Sequence, residues 1–264
     1  MDQGNNMGPH WDSAEQALYF VSIFDKSVHK YDPATGATTS SKMGKKNHFV
    51  VGLGRKVLEV TWDGAQDTAA VLRTVTEVDH ENPNNRRTPG EGCLLKGSLY
   101  RISAEGAATR LADNIDISNG LCWDLKERAF YYADSFEYTI RRYDYDVDTG
   151  DISNPRTVFK YADHKLTGIV DGMTIDTDGN LWVANFDGNQ VLKIDPRTSK
   201  LLQKVPIPAR QVTSATFGGP GLDVLYVTSA SMNRGEEQKP PCGSTFKITG
   251  LGVKGHENVN VKLN

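Results

Sequence analysis

The apolar positions of the chain fall into short runs, and one pairing of runs recurs. An apolar tetrad, Leu18-Tyr-Phe-Val, is followed across a polar turn by the alternating segment Val28-His-Lys-Tyr-Asp32 and the turn Pro33-Ala-Thr-Gly36. The same order returns as Phe49-Val-Val-Gly with Val57-Leu-Glu-Val-Thr-Trp62 and as Phe130-Tyr-Tyr-Ala with Ile140-Arg-Arg-Tyr-Asp144. It returns again as Leu181-Trp-Val-Ala with Val191-Leu-Lys-Ile-Asp195 and as Leu225-Tyr-Val-Thr with Thr245-Phe-Lys-Ile-Thr249. A continuous apolar run suits a strand buried on both faces, and alternation suits a half-buried one. Repeated strand pairs of this kind predict the blades of a propeller, read from the centre outward. No window keeps a 3.6-residue apolar period, so no long helix is expected.

The tetrads begin near positions 18, 49, 130, 181 and 225, and the interval from 49 to 130 is about twice what one blade requires. A sixth blade belongs there. Its second strand is visible as Gly97-Ser-Leu-Tyr-Arg-Ile102, but Arg87 to Lys96, where an apolar inner strand should precede it, reads as a Pro/Gly loop. The expectation is an all-β, six-bladed β-propeller with an incomplete third blade, folded as a single domain over residues 1–264.

In such a ring the loops entering the inner strands converge on one mouth of the central channel. Counting back ten or eleven residues from four of the tetrads reaches Met7-Gly8, Asn119-Gly120, Asp171-Gly172 and Ser214-Ala215. Asn119 and Asp171 would offer one neutral and one anionic oxygen to a shared point, a donor set that suits Ca²⁺ better than zinc. The competing reading is that both are turn residues bonded to their own backbones.

Composition narrows the partners. A formal net charge of −3 gives no polyanion-binding signature, so nucleic acid is not expected. No apolar run approaches the roughly 18 residues that span a bilayer, and Met1 to Gly8 lack a signal-peptide core, so the expected address is the cytoplasm with no membrane partner. Cys93, Cys122 and Cys242 are odd in number and far apart, which indicates neither a disulfide framework nor a thiolate zinc site.

Several motif matches fail on context. Gly250-Leu-Gly-Val-Lys-Gly255 fits GxGxxG, yet no βαβ unit follows it, so it is read as a turn. Asp144-Tyr-Asp-Val-Asp148 imitates the start of a calcium loop, but Gly150 comes one place late and Pro155 stands where the bidentate Glu is needed. HExxH and GxSxG do not occur.

Asp116-Ile-Ser-Asn-Gly-Leu121, Asp171-Gly-Met-Thr-Ile175, Asn84-Asn-Arg86, Phe217-Gly-Gly219 and Ile248-Thr-Gly-Leu-Gly-Val-Lys-Gly255 together resemble the SMP-30/gluconolactonase family, in the animal branch that contains regucalcin. Gly8-Pro-His-Trp-Asp12 and the stretch from Gln211 to Ala230 look closest to insect members, the luciferin-regenerating enzymes. The resemblance covers nearly the whole chain. It implies a six-bladed propeller holding one divalent metal ion, calcium first, with zinc, manganese or magnesium as alternatives, and hydrolysis of a small sugar lactone. Carried over by motif, Asn119 and Asp171 match metal ligands, Asp171 also matches the general base, and Arg86 matches a substrate-contacting arginine.

The chain departs from the family pattern in three places. The family's first metal ligand, a glutamate before Gly-Pro-His-Trp, is replaced by Met7, whose thioether is a poor partner for Ca²⁺. After Arg86 about twenty residues are missing relative to the resemblance, matching the gap in the repeat, and a shortening falls near Met43 to Lys45. The start also omits the strand that precedes the glutamate. These departures leave two expectations for the gene product, a spliced or incomplete form of an active protein or a paralogue that kept the scaffold and lost chemistry. The function expected is a regucalcin-like, calcium-dependent sugar lactonase, and the alternative is a non-catalytic calcium-binding or regulatory propeller.

Overall fold

The computed structural model describes residues 6–22, 27–41, 47–53, 56–62, 70–77, 97–235 and 237–259. Among them the backbone forms β-strands throughout, with helical turns only at Ser135–Glu137 and Ala162–His164, both 3-10. Contacts gather the chain into two compact units, Met1–Thr39 with Asn119–Asn258, and Ser40–Ser118 with Val259–Asn264.

The chain opens with a four-stranded antiparallel sheet in sequence order, β1 (Asn6–Asp12), β2 (Ala17–Ser22), β3 (Ser27–Tyr31) and β4 (Thr38–Ser41). The second unit follows. It holds a three-stranded sheet of β5 (Asn47–Leu53), β6 (Lys56–Trp62) and β7 (Ala70–Glu77), and a hairpin of β8 (Gly97–Ile102) and β9 (Ala108–Ile115). Gly97–Ile102 is thus the strand the repeat predicts, while Arg87 to Lys96, like Met43 to Lys45, lies outside the described residues.

The chain then returns to the first unit with a four-stranded sheet, β10 (Ser118–Asp124), β11 (Ala129–Asp134), β12 (Thr139–Tyr145) and β13 (Ile152–Lys160). A second such sheet follows, β14 (Ile169–Ile175), β15 (Leu181–Phe186), β16 (Gln190–Asp195) and β17 (Lys200–Pro206), and then three strands, β18 (Gln211–Gly218), β19 (Val224–Ala230) and β20 (Thr245–Ile248). The last two groups touch through one pair at strand ends, Phe186 at the end of β15 with Gln211 at the start of β18.

The sheets of this unit stack face to face. Tyr131, Ala133 and Ile140 meet Val170, Val183 and Leu192; Trp182 and Val191 meet Val212, Phe217 and Leu225; Trp11, Leu18 and Phe20 meet Val224 and Tyr226. Trp11 stacks on Tyr226 with ring centroids 5.5 Å apart. Burying each such large side chain contributes about 1.5–3 kcal/mol, which is what holds neighbouring sheets together. Up-and-down antiparallel sheets stacked in sequence order are the construction of an all-β propeller.

One expectation changes. Four of the five apolar tetrads form β2, β11, β15 and β19, each the second strand of its sheet with β1, β10, β14 or β18 before it, whereas the Phe49 tetrad lies in β5, the first described strand of its sheet. β11, β15 and β19 are buried along their whole length, as a continuous apolar run requires. The strands before them carry glycine and polar residues, which hides them from a hydrophobicity pattern. Met7, Asn119, Asp171 and Ser214 accordingly sit within first strands and not in the loops that enter them.

Candidate functional site

The first strands approach each other closely because glycine stands at the contacts. A Cβ on Gly120 of β10 would lie 2.5 Å from the carbonyl oxygen of Asp171 and 2.8 Å from Cγ of Met173, so β10 lies against β14 immediately after Asn119. A Cβ on Gly172 of β14 would collide with the side chain of Ser214 on β18. β18 is tied in turn to β1, since Thr213 donates its hydroxyl proton to the carbonyl of Asn6 at 2.5 Å. Asn119, Asp171, Ser214 and Met7 therefore lie on successively adjoining strands within one unit.

Register breaks shape this region. Pairing between β14 and β15 shifts between Val170 and Met173, which leaves Asp171-Gly172 as a bulge. The same one-residue shift occurs between Met7 and His10 on β1 and between Val212 and Ser214 on β18. A bulge leaves its residues unpaired in the ladder and redirects their side chains. An Asp-Gly pair within a strand thus serves the geometry expected of a turn.

Asp171 is 6% exposed, and among the described residues its Oδ1 has no hydrogen-bond partner. Burial pushes its carboxyl up to about 7, against the opposing pull of the Gly172 N–H and the Asn119 amide. Asn119 is half-buried and donates from Nδ2 to Ser135 Oγ at 3.1 Å. Tyr161 is 2% exposed with an unpaired hydroxyl, and its phenol is pushed up by burial and by the charge of Asp171. Asn185, wholly buried, donates to the carbonyl of Thr167 at 3.0 Å and so fixes the segment that leads into β14.

Of the residues singled out in the sequence, Asn119 and Asp171 are brought together, and Met7 stands on β1, half-buried, opposite Val21. Arg86 lies outside the described residues, as does Cys93. Tyr161 and Ser135 had no local signal, because each reaches Asp171 or Asn119 from another segment of the chain. Cys122 is buried and its thiol pushed up, which suits a packing residue. The segment Gly250–Gly255 is a strap and not a nucleotide loop: Gly255 bridges Asp176 and donates to Leu222, and Thr177 donates to Lys254. Asp146 accepts the N–H groups of Asp148 and Thr149 in the turn between β12 and β13, so the calcium-loop imitation is a turn.

Among the described residues no three His, Cys, Asp or Glu side chains cluster to hold a metal. A cation site here would instead rest on one carboxylate with amide and hydroxyl oxygens. A buried carboxylate oxygen without a partner is the kind of group such an ion satisfies, and Asn119 beside it adds an oxygen-bearing amide. These two residues fit a hard divalent cation, whereas the thioether of Met7 does not.

The sequence model of the SMP-30/gluconolactonase/LRE-like region matches residues 63–231. The chain is 36% identical to regucalcin of Gallus gallus, across 94% of this chain and 91% of that protein, and 37% identical to regucalcin of Danio rerio over the same shares. The alignment with the Gallus protein runs to 279 positions against 264 residues here, so at least 15 of its positions have no counterpart in this chain. In fold the chain is similar to a luciferin-regenerating enzyme, with a TM-score of 0.87, 36% identity and coverage of 98% of this chain and 95% of the other. A calcium-binding protein, regucalcin, from Agrobacterium tumefaciens shares the fold at a TM-score of 0.80 and 20% identity, covering 97% and 93% of the two chains. The chain belongs to the SMP-30/gluconolactonase/LRE-like family.

Proposed function

We propose that this protein is a calcium-dependent hydrolase of sugar lactones, built as a single six-bladed propeller that acts in the cytoplasm. The observation that carries the reading is the buried Asp171 carboxylate, with one oxygen unpaired, beside Asn119. Membership of a family that includes gluconolactonases supports the reaction class. The calcium-binding relative supports the choice of ion.

Asn119 and Asp171 would hold the cation, and when bound it supplies Lewis-acid polarisation of the lactone carbonyl. Asp171 takes a proton from the attacking water as the water oxygen bonds to the carbonyl carbon. The ring C–O bond then breaks, and the departing oxygen receives that proton back from Asp171 to give the open hydroxy acid. Gly120 and Gly172 hold the two donors at fixed spacing by letting their strands touch. Arg86 would hold the substrate's hydroxyls or the carboxylate product through its planar fork.

A second reading has its own support. Met7 stands where the family's pattern carries a glutamate, and the missing alignment positions remove sequence from the fold, both of which favour a calcium-binding propeller without catalysis. Hydrolysis of D-glucono-δ-lactone, followed by acid release across a Ca²⁺ titration, separates the two. Calcium-stimulated turnover that disappears in Asp171→Asn supports the hydrolase. Calcium binding without turnover supports the regulatory propeller, and no calcium response at all defeats both.

A further inference from the structure

With Met7 in place of a glutamate, the cation site has two oxygen-bearing residues, Asn119 and Asp171, of which one is charged. Ser214 stands beside them. It lies on β18 directly after the bulge at Thr213, and its backbone pairs with Thr228. Its Cβ and Oγ fill the space that a side chain on Gly172 would occupy, one residue from Asp171. Its position is fixed on the other side as well, since Thr213 bonds to the carbonyl of Asn6 and to Thr228 Oγ1 at 2.9 Å. The strand order by contact is β14, β18, β1, so Ser214 stands between the strand of Asp171 and the strand of Met7.

The Ser214 side chain is 9% exposed in its residue total, and its hydroxyl makes no hydrogen bond among the described residues. A hydroxyl whose strand is held by neighbours on two sides, and that bonds to no described protein group, keeps both lone pairs for a ligand. Hydroxyl oxygen is a hard, neutral donor of the kind calcium accepts and zinc uses little.

We propose that Ser214 is the third oxygen donor of the cation site in this chain, taking the part that the thioether of Met7 cannot. This rests on the reading of Asn119 and Asp171 as a cation site. The resulting set is one carboxylate and two neutral oxygens, which holds calcium more weakly than two carboxylates would and leaves the site less negative before the ion arrives.

Calorimetric titration of the full chain with Ca²⁺ and with Cd²⁺ tests it, with melting in chelator as the check on folding. Ser214→Ala weakens Ca²⁺ by roughly tenfold while melting as the unchanged chain does. Ser214→Cys, nearly isosteric, weakens Ca²⁺ similarly and tightens Cd²⁺ by a comparable factor, because sulfur suits the softer ion. This pair of shifts remains informative if the alanine variant folds poorly. If both variants bind Ca²⁺ as the unchanged chain does while Asp171→Asn does not, the Ser214 assignment falls and the site at Asp171 stands. If Asp171→Asn binds Ca²⁺ normally, or the unchanged chain binds none, the underlying site falls and Ser214 with it.

Discussion

Thr213 and Asn6, 207 residues apart in sequence, are joined by a 2.5 Å hydrogen bond from the threonine hydroxyl to the asparagine carbonyl. The bond sits in the buried seam between β18 and β1, and Asn6 returns a second bond from its side chain to the carbonyl of Gly243 at 2.8 Å. Thr213→Val keeps the shape and removes the donor. It should destabilise the fold by about 1–3 kcal/mol, the cost of leaving a buried carbonyl unpaired, read as a lower midpoint in urea at unchanged slope.

Asp171 gives a pH signature in the metal-free protein. Its folded-state carboxyl titrates near 7, above its ordinary value, so between about pH 4 and 7 the folded chain holds a proton that the unfolded chain has released. Its contribution to stability is therefore present at low pH and is lost as pH rises through 7. Asp171→Asn should flatten that slope in chelator-treated protein and abolish calcium stabilisation at neutral pH. A slope identical to that of the unchanged chain would show the carboxylate to be ordinary.

Met7→Glu restores an anionic oxygen on β1. Calcium affinity should rise at least roughly tenfold, because ligand charge count is a main determinant of affinity in oxygen sites. Thermal shift against Ca²⁺ concentration measures it, and an unchanged midpoint concentration would remove Met7 from the site.

Asp176 separates scaffold from site. It is wholly buried and accepts from Trp182 Nε1 at 3.0 Å, from the Asn180 N–H at 2.8 Å and from Lys193 Nζ at 3.3 Å. Asp176→Ala leaves a mostly buried lysine and an indole N–H without their acceptor, and should cost about 3–5 kcal/mol. The fraction that remains folded should bind calcium normally, which the same titration checks.

The parts of the fold that were legible are those where burial acts on both faces at once. Leu181 to Ala184 and Leu225 to Thr228 announce themselves because every side chain is apolar or small, and each became a buried strand. The strands before them look like loops in the sequence for a physical reason. Asp171-Gly172 and Asn119-Gly120 carry turn chemistry, and a bulge in a strand asks for the same residues as a turn. Asn119 and Asp171 could be picked out by their spacing from the tetrads, since that spacing survives the bulge. Tyr161 could not, because its approach to Asp171 is made by packing between sheets and leaves no trace in local order.

The glycines at 120 and 172 divide the labour between neighbouring residues. Gly120 and Gly172 bear the packing, and any side chain there meets backbone or Ser214. Asn119 and Asp171, just before them, are the residues proposed to bear the chemistry. A mutation at the first kind of position falls on folding, whereas one at the second falls on the proposed site. On that proposal, single substitutions beside these glycines would move such a chain between catalyst, ion carrier and inert ring, and Met7, also one residue ahead of a glycine, stands at such a position.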